Sequence, residues 1–143
     1  MIKVLCIFLT LLMFPTMSNS TAKISLEDYI SSFSWDKRIV LLIAKEKSVS
    51  LIKETDDFFG SNTCENGLRN LEYIRLVGDD INKYVLPDRY KHKYGIWLIG
   101  YDGGTKSYST DASLLKEIHN IIDTMPIRKT EMAEQNKKCN QGV

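Results

Sequence analysis

The sequence has few of the residues on which common kinds of functional site depend. It contains two histidines in 143 residues, and neither is near the other or near a cysteine along the chain. Zinc sites that can be recognised from sequence use pairs of Cys or His at short spacing, and no Cys-x-x-Cys pair occurs here. The sequence therefore predicts no metal ion and no other cofactor.

The chain also lacks an excess of charge of either sign. It has 19 basic and 18 acidic residues, and Lys3 is the only charged residue among the first 22. One stretch, Arg89 to Tyr94, alternates bases with aromatics as grooves for single-stranded nucleic acid do. A short patch on a neutral domain lacks the wide basic surface that nucleic acid requires. We therefore predict a solvated turn there and no nucleic-acid partner.

Long apolar runs are absent except at the start of the chain. Val4 to Phe14 is apolar, Lys3 precedes it, and small polar residues follow from Ser18 to Ala22. This is the three-part form of a secretory signal, and the run is shorter than the roughly 20 residues of a membrane span. We predict a cleaved signal peptide at 1–22, no stable membrane anchor, and a periplasmic or secreted protein. A single domain at 23–135 and a tail at 136–143 would follow.

Cysteine is scarce, and only Cys64 and Cys139 lie beyond the predicted signal peptide. An even number of cysteines in an exported protein favours a disulfide, because those compartments are oxidising. Two free thiols are the alternative. We predict the bridge Cys64–Cys139.

The remaining patterns predict alternating strands and helices. Arg38 to Ala44 is a continuous apolar run, typical of a strand buried on both faces. From Ser48 the apolar residues recur at helical spacing until Gly60, and Leu71 to Val77 predicts a second strand. A strand-helix-strand order favours a parallel pair with a right-handed crossover. Asn82 to Tyr94 is expected to be a short helical or irregular connection.

The stretch Gly95 to Ser109, GIWLIGYDGGTKSYS, has a glycine-rich centre that invites comparison with a phosphate-binding loop. A loop of the Walker kind ends in Lys followed by Ser or Thr, whereas here Lys106 follows Thr105. Asp102-Gly103 is instead a strong signal for a tight hairpin turn. We therefore predict two antiparallel strands joined by this turn.

The last predicted element is an amphipathic helix. Asp111 or Ser113 can cap it, Pro126 ends it, and His119 lies beside its apolar stripe as a boundary residue. The stripe consists of Leu114, Leu115, Ile118, Ile121, Ile122 and Met125.

This order of elements predicts an α/β domain with the thioredoxin-like core, in which a central mixed four-stranded sheet is flanked by helices. Three stretches of the chain also resemble the DUDES domain, a family of small exported bacterial proteins that is also found in vertebrate extracellular proteins such as equarin and the sushi-repeat-containing proteins. The resemblance implies a thioredoxin-like fold and a domain of unknown function. The three stretches are Trp35-Asp-Lys-Arg38, Leu98-Ile-Gly-Tyr-Asp-Gly-Gly-Thr-Lys106 and Ile122-Asp-Thr-Met-Pro-Ile-Arg-Lys-Thr-Glu-Met132.

The stretches that resemble the DUDES domain contain residues that we assign to its structural motif. At Lys129 the chain departs from the family, in which an arginine is usual. Lysine lacks the planar fork of arginine, so a bidentate contact is not expected there. The predicted structural residues are Trp35, Gly103, Gly104, Met125, Pro126 and Met132.

The redox chemistry of thioredoxin-like enzymes is not predicted. Its reactive cysteine follows the first strand, where this chain has Lys45 to Ser50, and its cis-proline precedes the hairpin, where this chain has Tyr94-Gly95. We therefore predict a monomeric binding or structural module without a redox motif. The alternative is a thiol-dependent oxidoreductase or peroxidase-like enzyme using Cys64. We expect Cys64 to follow a helix end, where the helix dipole would raise its pKa.

The topology predicts that several charged residues meet at the pole where the first strand begins. One hypothesis is a structural charge network that holds the C-terminal segment against the sheet. The other is a recognition site for a carboxylate or phosphate, with Arg38 and Arg128 as donors, so that the partner would be an unknown protein or a small anionic ligand. The candidates are Arg38, Asp102, Lys106, Asp123, Arg128 and Glu131.

Overall fold

The structure is a computed structural model, and it describes residues 21–135 and residue 139. The predicted signal peptide, apart from its last two residues, lies outside the described residues, as does most of the predicted tail. In the described ranges no helix is long and apolar enough to cross a membrane.

The described part of the chain forms four longer strands and two longer helices, with shorter elements before, between and after them. In chain order they are β1 (Ile24–Ser25), α1 (Leu26–Ser31), β2 (Arg38–Ala44), α2 (Val49–Ser61), α3 (Thr63–Leu68), β3 (Leu71–Val77), a 3-10 helix (Gly78–Lys83), β4 (Tyr84–Val85), β5 (Gly95–Ile99), β6 (Thr105–Ser109), α4 (Ser113–Asp123) and α5 (Pro126–Glu134).

The main sheet has four strands in the order β3-β2-β5-β6. β2 runs parallel to β3, with Arg38 opposite Leu71, and the other two pairings are antiparallel. Every residue of β2 is buried, because a central strand has helices or loops over both faces. This mixed four-stranded sheet flanked by helices confirms the predicted fold class. β1 and β4 form a separate two-stranded parallel pair.

Alternate residues of β2 divide the core into two clusters, one on each face of the sheet. Val40 and Leu42 face α4 and the apolar side of α2. Leu41 and Ile43 face α1 and the connection before β5, where Tyr90 packs edge-on against Trp97 with ring centroids 5.4 Å apart. The sheet is therefore covered on both sides and rigidly positions the residues at its ends.

Three details differ from the sequence-based expectation. α2 continues through Gly60 to Ser61, because packing of the preceding phenylalanines offsets the cost of about 1 kcal/mol for glycine in a helix. Cys64 follows the end of α2, as expected, but it also lies in the first turn of a second helix, α3. Pro126 follows α4 but also begins α5, because proline is well suited to the first position of a helix.

The hairpin turn matches the prediction. Gly103 has φ of +74°, a conformation that glycine adopts without steric cost, and it joins β5 to β6. The Asp102 carboxylate accepts a hydrogen bond of 3.0 Å from the Gly104 amide. The glycine-rich stretch therefore turns the chain.

Candidate functional site

The candidate site lies at one end of the main sheet, where β2 and β3 begin and β5 ends. The Arg38 amide donates to the Asn70 carbonyl at 2.9 Å, and the Trp35 amide donates to the Tyr101 carbonyl at 2.9 Å. These backbone bonds join the segments before the parallel strands to the segment after β5. Side chains from all of them therefore meet at this pole.

Arg38 is the centre of the site, and only 1% of it is exposed. Its Nη1 donates to the Arg69 carbonyl at 2.9 Å, to the Tyr101 hydroxyl at 3.0 Å and to the Glu131 carboxylate at 3.1 Å. The guanidinium also lies over the Tyr101 ring, 4.0 Å from its centroid. A buried arginine with a carboxylate, a carbonyl and an aromatic face has the partners that its charge requires.

A second group of contacts is built around Asp123, at the end of α4. Arg69 donates to both carboxylate oxygens, from Nε at 3.0 Å and from Nη2 at 2.6 Å. Arg128 Nε donates to the same carboxylate at 3.0 Å. Burial alone would raise the pKa of Asp123, but the hydrogen bonds from Arg69 and Arg128 outweigh it and hold the pKa below its usual range.

Arg128 connects α5 to the chain segment before β3. It is 3% exposed, and its Nη1 donates to the Leu68 carbonyl at 2.8 Å and to Gln135 Oε1 at 3.1 Å. Gln135 Nε2 donates to the same Leu68 carbonyl at 2.7 Å. These contacts hold both ends of α5 against the start of the sheet.

Glu131 and Tyr101 join the two groups of contacts into one network. The Tyr101 hydroxyl donates to Glu131 and accepts from Asn70 Nδ2 at 2.9 Å. Burial raises the pKa of Tyr101, and the hydrogen bond to Glu131 raises it further. Tyr101 therefore stays neutral and acts as a donor to a charged carboxylate.

A pocket of about 410 Å³ opens beside this network. Trp35 forms one side of it, with 71% of the residue exposed and φ at +65°, where residues other than glycine are uncommon. On the other side lies the start of α5, where Ile127 is 46% exposed. The lining is completed by Arg38, Gly100, Tyr101, Asp102, Lys106, Met125 and Pro126.

Asp102 and Lys106 form a separate ion pair that lines the pocket, outside the buried network. Lys106 Nζ lies 2.7 Å from Asp102 Oδ2, and the side chains are 36% and 49% exposed. Exposed pairs of this kind contribute only about 0.2–1 kcal/mol. The hydrogen bond from Lys106 still lowers the pKa of Asp102 below its usual range.

The structure thus divides the sequence-predicted candidates into two sets. Arg38, Asp123, Arg128 and Glu131 share one network, whereas Asp102 and Lys106 lie at the pocket. The predicted structural residues also separate. Trp35, Met125 and Pro126 line the pocket, Gly103 and Gly104 form the hairpin turn, and Met132 is 43% exposed on α5.

Sequence reasoning missed Arg69 and Tyr101. Arg69 lies two residues before β3, and β3 starts at the same end of the sheet as β2. Its position before a parallel strand could have placed it beside Arg38. Tyr101 follows β5, which runs antiparallel to β2 and ends at the same pole.

The two described cysteines form a disulfide. Cys64 and Cys139 are bridged, with Cα atoms 5.8 Å apart and a sequence separation of 75. The bridge ties α3 to the chain beyond α5, as predicted from the expected compartment and topology.

A metal site is not formed within the described ranges, where no three His, Cys, Asp or Glu side chains are close enough to hold an ion. His119 instead lies 2.7 Å from Asn66 Oδ1 through Nε2, with its ring 5.3 Å from that of Phe58. Burial lowers its pKa, and the charge of Arg69 lowers it further.

The profile of a family described as "Domain of unknown function (DUF4174)" matches residues 29–131. The chain belongs to this family. It is also 24% identical over 144 residues to coiled-coil domain-containing protein 80 of Danio rerio, in an alignment covering 78% of this chain and 16% of that protein. The chain therefore spans less than one fifth of the length of this relative. No solved structure matches it.

Proposed function

We propose that the domain is an exported binding module whose ligand occupies the pocket beside Trp35. The observation that carries the proposal is the exposure of Trp35, 71% of which faces solvent at the pocket. Burying a large apolar side chain contributes about 1.5–3 kcal/mol, and positive φ costs such a residue about 1–2 kcal/mol. A tryptophan held there at this cost, with no core packing in return, supports a role in recognition.

The buried network supports this proposal by fixing the opposite wall of the pocket. Arg128 and Asp123 hold α5, and α5 begins with Pro126 and Ile127, which line the pocket. Binding sites are more precise when rigid elements position their walls. We assign Arg128 and Asp123 to the structural hypothesis and Arg38 and Lys106, which line the pocket, to the recognition hypothesis.

The alternative remains a thiol-dependent oxidoreductase or peroxidase-like enzyme using Cys64. A bridged Cys64 would have to be reduced before it could attack a substrate, because the thiolate is the nucleophile. Cys64 lies in the first turn of α3 and shortly after the end of α2. Insulin reduction or peroxide consumption that disappears in Cys64→Ser would favour this alternative over the binding module.

We also propose that the family is the DUDES domain and that the protein is exported from the cytoplasm. The stretches around Trp35, Asp102 and Pro126 resemble the DUDES domain in sequence, and this resemblance supports naming the family in that way. The signal-like residues 1–22 support export to the periplasm or the outside of the cell. The partner is then an extracytoplasmic protein or a small anionic ligand, and the module acts as a monomer.

The proposal is tested by screening aromatic and aliphatic fragments against the disulfide-bonded protein by ¹H–¹⁵N NMR. We expect amide shifts confined to the neighbourhoods of Trp35, Tyr101 and Ile127. Trp35→Ala and Ile127→Ser should abolish them. Val85→Ser is the matched control, since it removes a 55% exposed apolar side chain outside the pocket lining. Shifts that are absent, or that survive both pocket substitutions, would contradict the proposal.

A further inference from the structure

The chemical class of the ligand follows from the shape and apolar walls of the pocket. A volume of about 410 Å³ is at the small end of the range for small-molecule sites, which is roughly 300–1,000 Å³. Trp35 stands on one side and Met125 to Ile127 on the other. One aromatic or branched aliphatic group between them would remove both exposed walls from water. The lining comes from three short chain segments, which suits a compact molecule better than an extended peptide.

The polar lining offers donors to such a molecule. Arg38 lines the pocket, and its Nε has no hydrogen-bond partner among the described residues. Because Nε is also closed off from solvent, a ligand would reach it only after a small shift of the lining. Lys106 Nζ is held by the exposed pair with Asp102. Because exposed pairs are weak, Lys106 can turn towards a ligand oxygen at little cost. Both donors are cationic, and cationic donors make the strongest hydrogen bonds to carboxylates.

The burial of the charged groups in the network also favours an anionic ligand. Its guanidinium groups are more deeply buried than its carboxylates. The exposed side-chain fractions are 1%, 11% and 3% for Arg38, Arg69 and Arg128, against 15%, 30% and 38% for Glu131, Asp123 and Glu65. Solvent screens an exposed charge more effectively than a buried one. Of these groups only Arg38 lines the pocket, so the pocket wall contains a buried cation whose carboxylate partner, Glu131, is the more exposed of the two.

We propose that the pocket binds a small carboxylic acid that carries an aromatic or branched aliphatic group. The apolar group lies between Trp35 and Ile127, and the carboxylate accepts hydrogen bonds from Arg38 and Lys106. This inference rests on the proposed function, since it names the ligand class of the same pocket.

The probes are N-acetyl-L-phenylalanine, its neutral amide, N-acetyl-L-leucine, acetate, and a pentapeptide ending in a free phenylalanine. Binding is measured by tryptophan fluorescence of the disulfide-bonded protein, because Trp35 is 71% exposed and Trp97 only 3%. Trp35→Phe keeps an aromatic wall but removes the exposed reporter, so its spectrum identifies the signal of Trp35.

We expect N-acetyl-L-phenylalanine to shift the Trp35 emission to shorter wavelength and to bind at least about tenfold more tightly than its amide, a difference of about 1.4 kcal/mol. N-acetyl-L-leucine should also bind, and acetate should be at least a hundredfold weaker. Lys106→Gln should weaken the acid about tenfold and leave the amide unchanged. Lys116→Gln, an exposed lysine on α4, is the control and should change neither.

The possible failures are distinguishable. An amide that binds as tightly as the acid would overturn the carboxylate assignment but leave the pocket as a binding site. A pentapeptide that binds tenfold more tightly than the acetylated amino acid would replace the small acid with a polypeptide chain end. If Lys106→Gln weakens acid and amide equally, Lys106 does not contact the carboxylate. If no probe binds and the fragment screen is also silent, the proposed function itself fails.

Discussion

Arg128→Ala is predicted to destabilise the domain by about 3 kcal/mol without removing any residue from the pocket lining. Removing one partner of a buried ion pair typically costs about 3–5 kcal/mol, because the other partner is left without compensation. Here the loss is partly compensated. Asp123 keeps its bidentate contact with Arg69, and the Leu68 carbonyl keeps its bond from Gln135. We therefore expect the lower end of the range.

The measurement is urea unfolding at pH 7 with the disulfide intact, followed by far-ultraviolet circular dichroism and by the fluorescence of buried Trp97. The midpoint should fall with an unchanged slope, as it does when stability alone changes. The melting temperature should fall by about 10–15 °C for a domain of this size. Lys129→Ala is the matched control, because Lys129 is the exposed neighbour of Arg128 on α5. It should change the free energy of unfolding by less than about 0.5 kcal/mol.

If Arg128→Ala lowered the free energy of unfolding by less than about 1 kcal/mol, that result would refute the reasoning. Removing a 3% exposed guanidinium with these partners should destabilise the fold by more than that. If fragment binding disappeared while stability stayed unchanged, Arg128 would be a ligand donor and the division between network and pocket would be wrong. Arg128→Lys adds a second check. It keeps the charge but loses the planar fork, and should recover only part of the lost stability.

Four further predictions follow from the geometry. Replacing both Cys64 and Cys139 by serine should lower the free energy of unfolding by about 4 kcal/mol, because the bridge closes a loop with a sequence separation of 75 and the open chain gains entropy. Labelling of two thiols before reduction would contradict the bridge. The pKa of Asp123 is lower in the folded protein than the unfolded value of about 3.9, so its charge stabilises the fold fully above that pH and ceases to do so as pH falls through the folded pKa. Asp123→Asn should therefore make the free energy of unfolding less dependent on pH below about pH 4. The unfolded histidine binds a proton more readily than the buried His119, so the native protein should lose stability as pH falls below about 6.5. His119→Gln should not show this loss. If the free energy of unfolding depends on pH in the same way in both proteins, His119 is not linked to folding. Trp35→Asn should leave stability unchanged or raise it by up to about 1 kcal/mol, since asparagine tolerates positive φ; a loss in urea unfolding would mean that Trp35 packs structurally.

The strands and the sheet could be predicted from sequence because they carry strong local patterns. Arg38 to Ala44 is a continuous apolar run, and Asp102-Gly103 specifies a tight turn. Chain connectivity and right-handed crossovers then leave few possible sheets. The convergence of Arg38, Asp123, Arg128 and Glu131 could be anticipated from that topology.

The short helices and the missing network members could not be predicted in the same way. α3 has six residues, too few to show a helical period, and α5 is polar along most of its length. Their stability comes from packing and from the disulfide, which are properties of the folded chain. The choice of Arg69 as the bidentate partner of Asp123 likewise depends on distances that only the tertiary structure sets. Asp102 and Lys106, four residues apart, pair with each other across the hairpin and so remain outside the network.

At this end of the sheet, different residues serve stability and ligand recognition. Arg128 and Asp123 contribute to the network but do not line the pocket, so substitutions there should act on folding. Trp35 and Ile127 leave apolar surface exposed at the pocket, so substitutions there should act on binding with little cost in stability. Arg38 belongs to both, because its Nη1 holds the network while its side chain lines the pocket. A ligand carboxylate and Glu131 would share the positive charge of Arg38. Removing the charge of Glu131 should therefore strengthen binding, and the ligand should raise the melting temperature more in Glu131→Gln than in the native protein.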